Sequence, residues 1–410
     1  MLLLSCPAAW GKSRVYSDNI QSLQVVVGQD FLSPPVMQLG SSDVLHVSFD
    51  EMSHQYHRYI CRLELCDVDW QPVSSLFESD IISGFNDNPI DDYRNSEGTN
   101  IQYTHYSYQL PNDRCRLRLS GNYRLHILDD DNAQEEVAVA EFYVVQPRVL
   151  TGLSVSTNTD VDINKCSQQV SMTVRYQDLH VARPDEQIRV VVRQNNREDS
   201  ERRDVPFSYS NAQGLTWEHC RQLIFPGGNE YHKFEMLDVD NPTMGLERIT
   251  WDGEQYHAYP FACEQRRQYV YDEDADGAFY FRNTYNDDND THSDYLWVHY
   301  KLFCPLSATY GDDGRDASVI IDGQWATGDP QRYVTTYDAS DKSFNVSLFQ
   351  KQGYYNYQFL LQDADGRTRT LSHEGNFYQT ENRYQAFVYY HELGGRSWQL
   401  VGYQQVVFRK

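Results

Sequence analysis

The sequence predicts an all-β protein of tandem immunoglobulin-like or early-set β-sandwich domains. Three observations predict it. Strand-forming aromatics are abundant, with 31 Tyr, 18 Phe and 7 Trp among 410 residues. Short runs of alternating apolar and polar residues recur along the chain, separated by Gly, Pro, Asn and Asp turns. Long helix-period segments are scarce. The excess of Tyr over Phe suits sheet faces that are part buried and part wet, because the ring packs while the hydroxyl reaches water.

Taken in order, residues 1–18 read as a truncated export signal or a disordered N-terminus: Met1 to Gly11 is a short apolar run ending in small residues, without a basic start. Residues 19–147 carry about seven short strands and close at Gln146-Pro147, the count and spacing of an immunoglobulin-like sandwich. Trp70, at a strand end, reads as a core ring, with an interface ring as the alternative. Residues 148–285 read as a middle β domain, with strands at Val170 to Gln177 and Gln187 to Asn195. The acidic run 286–294 reads as a solvated linker. Residues 295–410 alternate most cleanly and read as an early-set-like sandwich. No fixed-period repeat is visible.

The formal net charge of −24 argues against a nucleic-acid backbone or an anionic membrane surface as partner. No stretch is long and apolar enough to span a bilayer. The eight cysteines are scattered, with no CxxC pair, and read as buried free thiols, with one or two disulfides in an oxidising compartment as the alternative. Cys61 and Cys66 lie five apart on one strand, so their side chains face opposite sides and do not bridge.

Candidate chemistry is thin. Asp272 to Gly277 matches the first half of a calcium loop, but Asn283 stands where the bidentate Glu belongs, so it reads as an Asp-rich hairpin turn. Asp363 to Gly366 reads as another hairpin. The histidines sit apart, and no nucleophile elbow or phosphate loop is present. No catalytic, cofactor or metal residue is assigned. Trp325, with Tyr354, Tyr355 and Tyr357, could form a sugar-stacking platform, which makes a periplasmic carbohydrate-binding protein the alternative reading.

Several stretches together resemble one family. They are Cys66 to Trp70, Ser83 to Phe85 with Ile90 to Tyr93, Ser96 to Tyr106, Leu110 to Asn112, and Ser120 to Tyr123. Gln194-Asn195, Gly227 to Glu230, Gln352 to Tyr357, Glu374 to Phe377 and Thr380 to Asn382 follow. In this order they resemble the plug protein family of the Bacteroidota type IX secretion system. Leu65 precedes Cys66 where relatives usually carry His. The resemblance implies a non-enzymatic periplasmic subunit without cofactor. Its implied partner is the outer-membrane translocon β-barrel, whose periplasmic mouth it closes at rest. It implies neither membrane insertion nor an oligomeric state. The longest strand-poor stretch of the first domain begins at Gly84. Within it Gly84, Phe85, Asn86, Asp91, Asp92, Tyr93, Arg94 and Asn95 are the candidate partner-binding residues.

Overall fold

The computed structural model describes residues 12–309 and 317–409. The apolar run Met1 to Gly11, including Cys6, lies outside them. The protein is nearly all β, and its strands form three β-sandwich units. Among the described residues no helix is long and apolar enough to cross a membrane.

In the first unit one sheet runs in the order Arg14–Val15, Glu135–Val145, Gly121–Asp129, Tyr59–Cys66, Asn88–Pro89. The opposing sheet runs Ile20–Val27, Leu45–Glu51, Thr104–Leu110, Asp92–Asn95. Period-two alternation sends Leu125 and Ile127 inward with Phe49 and Tyr106 to make the core. The strand Arg14–Val15 pairs with Ala138 and Val139, so the expected disordered stretch to residue 18 is in part a sheet edge.

Strand pairing departs from the expected division at 285/295. Ile188–Gln194 pairs antiparallel with Asn382–His391, which pairs in turn with Trp398–Phe408. The middle unit is therefore made of residues 149–226 together with the C-terminal hairpin. The third unit lies between them in sequence: His232–Met236 pairs with Gly353–Gln362, and Tyr256–Pro260 runs parallel to Tyr295–Phe303. The reason is local. Alternation specifies which face of a strand is buried, not which distant strand completes its ladder.

The first and middle units stack as four sheets with three apolar layers. Strand Glu135–Val145 shows how: Phe142 and Val144 enter the first core, while Tyr143 and Val145 enter the layer between units. Cys61 and Cys66 divide in the same way, one in each layer, and all seven described cysteines are free. Burial pushes both thiols well above their ordinary pKa. Trp70 is 1% exposed, but it packs between units against Tyr143, not in the core of its own sandwich.

Candidate docking surface

The candidate stretch begins on a two-stranded ribbon, Ile82–Gly84 against Cys115–Leu117. Gly84 has φ +108°, and a Cβ there would stand 2.0 Å from the Arg114 carbonyl oxygen, so the position is set by close backbone approach. The Phe85 amide donates to that same oxygen at 2.9 Å, which leaves the Phe85 ring 74% exposed. Asn86 works inward: its Oδ1 accepts from the Leu63 amide at 2.7 Å and its Nδ2 donates to the Leu63 carbonyl at 3.0 Å. A side-chain amide thereby extends the ladder of strand Tyr59–Cys66.

Asn86 Nδ2 also donates to the Glu78 carboxylate at 3.2 Å. Phe77 is 76% exposed. Its sequence signal was an aromatic directly before the polar turn Glu78-Ser79-Asp80, a feature not weighed among the candidates.

Asp91 pairs with Arg114 at 2.9 Å across the surface. Asp92–Asn95 then forms the outer strand of its sheet, exposed at every residue. Tyr93 packs on Tyr56 and Tyr106, with ring centroids 4.6 and 6.0 Å away, and keeps one face toward solvent. Asn95 Oδ1 accepts from Thr104 Oγ1 at 3.2 Å.

Arg94 points the other way, to Asp288 at 2.6 Å and Asp290 at 3.4 Å. The acidic run is thus no solvated linker. Tyr103 Oη donates to the carbonyls of Asp290 and Ser293, and the Asn100 and Ile101 amides donate to the Asp294 carboxylate. The run joins the first and third units. Its polar residues satisfy the partner's backbone, which composition cannot distinguish from solvation.

Behind this seam lies a buried ionic cluster. Asp50 and Lys351 are both fully buried, with Nζ to Oδ2 at 2.6 Å. Tyr295 Oη donates to the same carboxylate at 2.6 Å, His105 Nδ1 lies 2.7 Å from its other oxygen, and Lys351 also donates to the Asp290 carbonyl at 2.6 Å. The Lys351 ammonium sits 4.4 Å from the Tyr103 ring centre. Burial alone would raise the Asp50 carboxyl, but the Lys351 charge and the His105 bond hold it below the ordinary carboxylate value.

The candidate residues therefore divide. Phe85, Asp92 and Tyr93 are presented to solvent, joined by Phe77 and Tyr56. Gly84, Asn86, Arg94 and Asn95 hold the chain that presents them, and Asp91 is tied to Arg114. The sugar platform is not formed. Tyr355 and Tyr357 are 2% and 3% exposed, Trp325 donates from Nε1 to the Asn356 carbonyl at 2.8 Å, and Tyr354 stacks on Tyr280. The expected hairpin at Asp272 to Gly277 is also absent, since Phe279–Phe281 pairs with Gly353–Gln362 instead. Its carboxylates take protein partners, Asp272 with Lys233 and Asp276 with Arg383. Among the described residues no group of three His, Cys, Asp or Glu could hold a metal ion.

A family model described as the type 9 secretion system plug protein 1st domain matches residues 20–146. A crystal structure of a hypothetical protein from Parabacteroides merdae ATCC 43184 is 32% identical. The match covers 98% of this chain and 100% of that one, with a TM-score of 0.92. The chain belongs to the type 9 secretion system plug family. No curated protein matches it.

Several of the stretches that carry the family resemblance lie where units of the chain meet. Cys66 to Trp70 lies at the first–middle junction, where Arg189 donates from both Nη atoms to Asp69 at 2.7 and 3.0 Å. Asn122 Oδ1 accepts from Tyr389 there at 2.8 Å. Gly227 to Glu230, Glu374 to Phe377 and Asn382 meet where the chain crosses between the middle and third units. Phe377 N donates to the Gly228 carbonyl at 2.8 Å, and Asn382 Nδ2 to that of Gly227 at 2.7 Å. A Cβ on Gly227 would stand 2.1 Å from the Phe377 carbonyl oxygen, so the two strands of the crossing fit only with glycine.

Proposed function

We propose that this chain is a non-enzymatic periplasmic subunit that docks on the periplasmic opening of the type IX outer-membrane translocon barrel and seals it in the resting state. The observation that carries the reading is the set of buried inter-unit contacts, with Asp50–Lys351 at its centre. Units tied in this way form a body of fixed shape. Such a body loses little free energy to ordering when it binds, and so keeps more of its contact energy as affinity. A wide opening is better closed by a preformed solid than by a segment that must fold on it.

The proposed contact face is the exposed group Phe77, Phe85, Asp92 and Tyr93, on the outer edge of the first unit. Aromatic anchors within a polar surround are the usual makeup of a protein-binding hot spot. The net charge of −24 further favours a partner surface with basic groups.

Co-purification tests the reading. Tagged protein expressed in its own host is recovered from detergent-solubilised envelope. One very large outer-membrane β-barrel at near-stoichiometric yield is expected, and Phe85→Asp should lower that yield at least about tenfold, the effect of losing about 1.4 kcal/mol. Recovery of no membrane partner would overturn the proposal.

A further inference from the structure

Where the three units meet lies a partly open cavity of about 330 Å³. The size is at the low end for a small-molecule site, about 300–1,000 Å³. Each unit contributes a charged side chain with an unused hydrogen-bonding atom. From the first unit Glu141, 7% exposed, accepts from Arg124 on one oxygen and leaves Oε2 without a partner. From the middle unit Arg193, 2% exposed, donates from Nη1 to Tyr143 and leaves Nε and Nη2 free. From the third unit Asp276, 4% exposed, pairs with Arg383 through Oδ2 and leaves Oδ1 free. Glu198, also lining the cavity, leaves Oε1 without a partner. Buried polar atoms are mostly satisfied in folded proteins, so four such side chains converging on one cavity mark a place suited to receive polar groups.

The charge balance narrows the ligand class. Of the charges lining the cavity, Lys12 pairs with Asp322 at 3.6 Å and Arg197 pairs with Asp199. Arg193 has Glu201 at 3.7 Å. Glu141 and Asp276 have their arginines. Two lining groups remain outside any ion pair among the described residues, the Arg14 guanidinium and the Glu198 carboxyl. Burial, with the Glu141 charge adding to it, outweighs the nearby Lys12 and Arg193 charges and holds the Glu198 carboxyl well above its ordinary value, so it would ionise only on meeting a cation within the cavity.

We infer that the junction cavity binds a small zwitterion of amino-acid to dipeptide size, its carboxylate at Arg14 and its ammonium at Glu198. The unused atoms of Glu141, Arg193 and Asp276 are left for its remaining polar groups. A ligand held this way touches all three units and ties the seam between them. The site is separate from the proposed docking face, so its test does not depend on the plug reading.

Isothermal titration calorimetry on the full chain decides it, with glycine, dialanine and trialanine as probes and N-acetyl-dialanine methylamide as the uncharged twin. Saturable binding of at least one zwitterion is expected, weakened at least about tenfold when both termini are blocked. Glu198→Gln and Arg14→Gln should each weaken it about tenfold while leaving the urea unfolding midpoint in place. No saturable binding of any of the three, equal binding of the blocked twin, or full affinity in both variants would overturn the inference.

Discussion

The two junctions that hold the first unit are built from opposite materials. Toward the middle unit the contact is an aromatic and aliphatic layer of Trp70, Tyr143, Phe387, Tyr389 and Leu400, with the Arg193 guanidinium 4.7 Å from the Phe387 ring centre. Toward the third unit it is the buried cluster of Asp50, Lys351, His105, Tyr103 and Tyr295, with the Arg94 pairs at its rim. An apolar layer is adhesive and tolerates small shifts, because burial depends on area more than direction. A buried ion pair adds little net adhesion, since desolvation offsets its attraction, but it punishes any geometry that separates the charges. One junction supplies stability; the other sets the angle.

The largest effect should come from breaking the ionic junction on one side only. Lys351→Met leaves the Asp50 charge buried without compensation and should cost about 3–5 kcal/mol in urea denaturation. The Asp50→Asn/Lys351→Met double variant should recover much of this, because the uncompensated charge is gone. A single variant within about 1 kcal/mol of the parent would dismiss the cluster as an orienting device.

Trp70→Ala should be comparable or slightly smaller, about 3 kcal/mol, the usual cost of deleting a large buried ring. It differs in kind, because no charge is stranded and no second substitution rescues it.

The crossing between the middle and third units supplies a pH test. Burial would raise the Glu374 carboxyl, but His232 at 2.9 Å and Arg266 bring it down to about 2. Burial would likewise lower His232, which the neighbouring Cys263 and Glu374 instead raise to about 10. A depressed acid stabilises above its unfolded value, so this contribution, on the order of 3 kcal/mol, should fade as pH drops from about 4.5 toward 2. A raised histidine stabilises fully below its unfolded value, so the same pair should weaken again as pH climbs from about 6.5 toward 10. Urea midpoints across pH, compared with Glu374→Gln, read both limbs; a variant with the parent's acid limb would remove the pair from the account.

The smallest stability effect belongs to the proposed docking face. Phe85→Asp should change unfolding by less than about 0.5 kcal/mol, because the ring touches little of its own protein, while lowering barrel capture. A large loss of stability would mean the ring is structural.

Much of this architecture was legible in the sequence, for identifiable reasons. Alternation gave the strands, the parity of Cys61 and Cys66 gave their opposite faces, and Asp363 to Gly366 turns between Gly353–Gln362 and Thr368–Thr370. Partner choice was not legible. Ile188–Gln194 finds Asn382–His391 on the far side of a whole unit, and nothing in either strand names the other. The acidic run 286–294 misled for a related reason: carboxylates that bind water and carboxylates that bind a neighbour's amides look alike in one dimension. At the proposed docking face the stretch read as strand-poor in fact holds the edge strand Asp92–Asn95, whose pairing with Thr104–Leu110 exposes Tyr93, and the role of Arg94 depends on Asp288, 194 residues away. The cavity between units left no trace in sequence, because its lining is drawn from all three.

Tied through buried contacts, the units form one preset body, proposed to dock without rearranging. Electron–electron distance measurement between spin labels at the exposed positions Asp113 in the first unit and Asp365 in the third tests it most directly. One narrow distance distribution is expected, unchanged when the captured barrel is present and broadened by Lys351→Met. A broad or two-peaked distribution in the unbound protein, or a shift on docking, would contradict it.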